Sequence, residues 1–87
     1  MKLLTQELIK TFPILYATEG KYPKDIKVIT KFFDPCSSRT WYAIEYDPEN
    51  KVFFGLIMGM ETELGYFSLD ELETFKGRIG LGIERDI

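Results

Sequence analysis

The chain has 87 residues, 45% of them hydrophobic and 29% charged, with a net charge of −3, one cysteine and no histidine. That mass builds one core and one domain over residues 1–87, with about 5,300 Å² left exposed once folded. The missing histidine excludes Ser-His-Asp triads and His-based zinc sites, and the single Cys36 excludes an internal disulfide or a thiolate metal cluster.

The first predicted element is a short helix over about residues 5–11. Thr5 offers an N-cap hydroxyl, Glu7 suits the positive helix end, Leu8, Ile9 and Phe12 supply an apolar side, and Pro13 ends the run. Residues 14–25, with Gly20 and Pro23 among polar side chains, read as an irregular connection from which Ile14, Leu15 and Tyr16 pack down. Three runs rich in β-branched and aromatic residues follow, 26–33, 39–46 and 52–58, with turns at 34–38 and 47–51 between them. A fourth run, 62–67, comes after the bend Gly59-Met60-Glu61, and an antiparallel meander is the topology that joins them most cheaply.

At Ser68-Leu69-Asp70-Glu71 the pattern changes to that of a helix. Ser68 and Glu71 form a capping box, Leu69, Leu72 and Phe75 recur at helical spacing, and Gly77 supplies a stop. In residues 78–87, Ile79, Leu81 and Ile83 alternate with Gly80 and Gly82, as in an extended tail or a short edge strand. The expected fold class is therefore α+β: a four-stranded antiparallel meander sheet with a short N-terminal helix, a C-terminal helix and an extended tail, in the order α-β-β-β-β-α.

Strand side chains alternate between faces. Unbroken alternation assigns Ile26, Val28, Phe32, Tyr42, Ile44, Tyr46, Val52, Phe54, Leu56, Met58, Leu64 and Tyr66 to one face, expected to be the core beneath the helices. The other face then carries Trp41, Glu45, Phe53, Gly55, Ile57, Glu63 and Phe67, mixed in polarity and flattened by glycines. It is the candidate binding face, unless helix 1, the 14–25 segment, the tail or a second copy in a homodimer covers it. With Arg85 from the tail, Glu45 and Glu63 form an expected polar constellation near Trp41 that either holds the tail or contacts a partner.

Other chemistry has weaker support. Residues 61–73 hold five acids and no base, but without the spacing of a calcium loop, and Glu71 is explained by capping. Residues 1–44 carry seven basic and four acidic side chains, net +3, and residues 45–87 four basic and ten acidic, net −6. The acidic half admits a mimic of DNA phosphates. Lys27, Lys31 and Arg39 near Phe33 and Trp41 admit nucleic-acid contact, against which the acidic balance of the whole chain argues. Cys36, with no histidine to activate it, reads as a plain turn thiol in a reducing cytoplasm. The N-terminal apolar stretch is too short for a signal peptide, and no run approaches the ~18 residues of a membrane span.

Much of the chain resembles the DUF2958 family. The resemblance is carried by Leu3-Leu4-Thr5, Leu15-Tyr16-Ala17-Thr18-Glu19, Lys31-Phe32-Phe33, Trp41-Tyr42-Ala43-Ile44-Glu45, Asp47-Pro48, Phe53-Phe54-Gly55-Leu56, Gly59, the run from Glu61 through Gly65-Tyr66-Phe67-Ser68 to Glu73, and Ile83-Glu84-Arg85-Asp86. The Glu-Leu-Gly-Tyr-Phe-Ser-Leu stretch is its most specific part. It implies a small bacterial protein of a family often carried on plasmids and other mobile elements, with no established activity or catalytic residues. Members tend to continue past the position of Ile87, so the resemblance implies a shortened end. The expected function is that of a non-enzymatic binding module for a protein partner, without cofactor or metal. An acidic anti-restriction-type DNA mimic is the alternative, and a carboxylate-based enzyme the second.

Overall fold

The computed structural model describes residues 3–75 and 81–86. Helix α1 spans Gln6–Thr11, a 3-10 turn Pro23–Asp25, strands β1 to β4 Thr30–Phe33, Thr40–Asp47, Val52–Met58 and Thr62–Ser68, helix α2 Leu69–Thr74 and strand β5 Glu84–Arg85. The five strands form one antiparallel sheet in the order β4-β3-β2-β1-β5. The α+β meander stands as expected, and the tail takes the edge-strand alternative beside β1. The first β-rich run pairs over a shorter length than its composition implied, since residues 26–29 precede β1 and only the Ile29 amide joins β2, donating to the Ala43 carbonyl at 2.9 Å.

Both helices are six residues long, too short to persist without packing. Their starts are fixed by hydroxyl caps: the Leu8 amide donates to Thr5 Oγ1 and the Glu71 amide to Ser68 Oγ. Helix α2 ends with Phe75 in an extended conformation, before the expected Gly77 stop, which lies outside the described residues, as do Arg78, Ile79 and Gly80.

The register places the core on the face opposite to the one expected. Cross-strand partners share a face, and the helix-covered face carries three rows. Phe32, Trp41 and Ile57 form the first, the small residues Thr30, Ala43, Gly55 and Gly65 the second, and Tyr46, Phe53 and Phe67 the third. Leu3, Leu4, Leu72 and Ile83 are buried against these rows, with Leu8, Ile9, Phe12, Leu69 and Phe75 packed around them. Of the expected core set only Phe32 and Tyr46 join it, and a β-bulge is half the reason. Ala43 pairs with Gly55 but Glu45 with Phe54, so Ile44 is the extra residue and parity reverses after it. Gly55 makes the bulge possible: a Cβ there would lie 1.9 Å from the Tyr42 carbonyl oxygen.

Candidate functional site

The residues expected to form a binding face are therefore mostly core. Phe53 is fully enclosed, Trp41 is 8% exposed and meets Phe75 edge-on at 6.2 Å, Phe67 and Gly55 are buried, and Ile57 is half-buried beneath the helices. Trp41 and Phe53 gain more from burial against α1, α2 and the terminal segments than any thinner face could offer. The constellation of Glu45, Glu63 and Arg85 does not assemble. Glu63 and Arg85 share a row, but Ile57, Trp41 and Phe32 stand between them, four strand spacings or about 19 Å. The Arg85 guanidinium donates to the Leu3 carbonyl at 3.3 Å, and the bulge turns Glu45 to the other face.

That other face is open. Tyr42, Phe54, Leu56, Leu64 and Tyr66 line it, with Leu64 63% and Tyr66 52% exposed, and Met58 exposed farther along β3. The Phe54 and Tyr66 rings sit 5.2 Å apart, and Lys31 Nζ lies 5.9 Å from the centre of the Tyr42 ring. Neither α1 nor α2 packs there, because both bury their apolar residues on the opposite side.

At one end of the open face, residues 13–21 fold back over the bulge. Tight turns run through them, the Ala17 amide donating to Ile14, Glu19 to Tyr16 and Lys21 to Thr18. The Tyr46 amide donates to the Pro13 carbonyl at 2.9 Å. Glu45, only 2% exposed, holds the turns: Oε1 accepts from the Tyr16 amide at 2.8 Å, and Oε2 from the Thr18 amide at 2.8 Å and from the Thr18 hydroxyl. Tyr16 adopts φ +71°, a left-handed conformation unusual for a bulky residue, and the residue, expected to pack down, is 64% exposed.

A cleft of about 450 Å³ lies between this segment and the β3–β4 hairpin, lined by Tyr16, Thr18, Lys21, Glu45, Phe54, Leu64 and Tyr66 among others. The Tyr66 phenol is raised above its ordinary value, first by the neighbouring Tyr16 phenol, then by burial and by the negative charge of Glu45 and Glu19. Unbroken alternation hid Phe54, Leu64 and Tyr66 as site residues, and Tyr16 and Thr18 lie in the stretch read only as an irregular connection. The readable signal was Glu45, the one charged side chain in the interior of a largely apolar strand.

A second groove near the free edge of β4 is lined by Glu61, Glu63, Glu71, Arg39 and Trp41, among others. Among the described residues no group of three acidic or thiol side chains is placed to hold a metal ion. No described helix is long and apolar enough to cross a membrane.

Fold and open face together define a small α+β domain with one covered and one uncovered sheet face. A family model described as "Protein of unknown function (DUF2958)" matches residues 3–87, and the chain belongs to that family. No curated protein and no solved structure matches it.

Proposed function

We propose that the protein is a non-enzymatic binding module that docks a protein partner on its uncovered sheet face. The observation that carries this reading is the contiguous apolar surface of Phe54, Leu64 and Tyr66, continued along β3 by Leu56 and Met58. Each of these side chains would gain by leaving water, and contiguous surface of this kind marks interaction sites. The family resemblance supports a place among bacterial mobile elements, and the exposed free thiol of Cys36 fits a reducing cytoplasm.

A photo-crosslinking residue placed at Leu64, with Lys10 on α1 as the control position, tests the face in cells. The expected result is one discrete adduct with a second polypeptide from position 64 only. The purified partner should then lose about thirtyfold or more in affinity for Leu64→Glu, as for an interface anchor, and none for Glu73→Ala on α2. Adducts only from position 10, an adduct of two copies of this chain, or unchanged affinity for Leu64→Glu would overturn the reading.

A further inference from the structure

We propose that the cleft between residues 13–21 and the β3–β4 hairpin is a binding site for an organic cation, an alkylammonium or guanidinium group, with Glu45 as its anion and Tyr16, Phe54 and Tyr66 as its walls. The first observation is the charge. Glu45 is nine-tenths buried and more, borders the cleft, and is met only by neutral donors; among the described residues no Lys or Arg pairs with it. A carboxylate offers about four acceptor positions, and three are taken, leaving one on Oε1. At the rim Glu19 and Lys21 offset each other, so the charge of Glu45 sets the sign of the cleft.

The second observation is the wall. Tyr16 holds a left-handed backbone that glycine would adopt without strain, yet the residue is largely exposed and packing does not repay that strain. What the strained residue provides is a ring at the mouth of the cleft, which shares the lining with Tyr66, itself packed on Phe54. Aromatic faces around a buried carboxylate favour a cation with an apolar stem over an anion or a neutral polar group. Anchoring the 13–21 turns would need Glu45 and Thr18 but not this ring.

The source of the cation rests on the docking reading: a lysine or arginine side chain of the partner is the one expected. Amide NMR titrations with n-butylammonium and n-butylguanidinium, and with 1-pentanol as the neutral control, test the site on the intact chain. The expected result is saturable shifts at Tyr16, Thr18 and Leu64 with both cations and none with the alcohol, weakened about tenfold in Tyr66→Leu and in Glu45→Gln. Tyr66→Leu sits at a half-exposed position and keeps the test open should Glu45→Gln loosen the turns. Equal binding of the alcohol, no saturable shift, or affinity unchanged in Tyr66→Leu would overturn the site.

A short lysine peptide binding more tightly than butylammonium assigns the cation to a partner. Equal affinity assigns it to a free amine and overturns the partner assignment alone. If neither cation binds while Leu64→Glu still abolishes docking, the cation site fails and the docking reading stands. If the cations bind but no partner is crosslinked, the cation site stands and the docking reading fails.

Discussion

Two residues decide what the strands can do. Gly55 is the only residue type that lets β3 approach the β2 bulge, since any Cβ would overlap the Tyr42 carbonyl. Gly55→Ala should therefore cost about 3 kcal/mol or prevent folding, read by urea denaturation. Gly65 on β4 has only an ordinary contact with Ile57 at its Cβ position, and Gly65→Ala should lie within about 1 kcal/mol of wild type. Glu45 is the second such residue. Removing its carboxylate in Glu45→Ala strands two amides and a hydroxyl, and a loss of about 2–3 kcal/mol is expected. Faster hydrogen exchange at Tyr16 and Thr18 than at β3 amides is the accompanying signature; uniform acceleration would mean that Glu45 serves the whole fold and not the turns.

Among the elements, the turn between β2 and β3 carries a pH dependence of definite sign. Asp47 accepts from the Asn50 side chain at 2.8 Å and from the Glu49 amide at 3.0 Å, which hold its carboxyl below the ordinary 3.8. Because the folded value is depressed, this stabilisation is fully present above the unfolded value and is lost as pH falls through the folded one. The stability difference between wild type and Asp47→Ala should be constant above about pH 5 and shrink below about pH 4. A difference that grew on acidification would contradict the assignment.

Element boundaries are legible where the signal is local. The Thr5 and Ser68 caps, the turn at 47–51 and the run 52–58 all stand where the residues put them. The choice of face is not legible, because β3 is apolar on both sides and one inserted residue, Ile44, reverses parity midway along β2. Alternation holds within each half of that strand and fails across the bulge. The candidate site inherits the same inversion, with Phe53 and Phe54 exchanging roles. Glu45 stands out in the sequence as a charge in the interior of a largely apolar strand, but its bonds to Tyr16 and Thr18 depend on a contact 27 to 29 positions away that no local pattern encodes.

For the whole molecule, the two charged halves of the sequence do not separate into two sides. Strand β5, from the acidic half, lies beside β1 from the basic half, and Lys31 Nζ reaches Asp86 at 3.9 Å. Such an exposed pair contributes little to stability. What organises the molecule is the contrast between its two sheet faces, one closed by both helices and one left apolar and open. Chemical denaturation of Phe67→Ala beside Leu64→Ala tests that contrast most directly, since both positions lie on β4 and face opposite ways. The expected result is a loss of about 3–5 kcal/mol for Phe67→Ala and under about 1 kcal/mol for Leu64→Ala. Equal losses, or a larger one at Leu64, would mean that the face read as open is the one the protein buries.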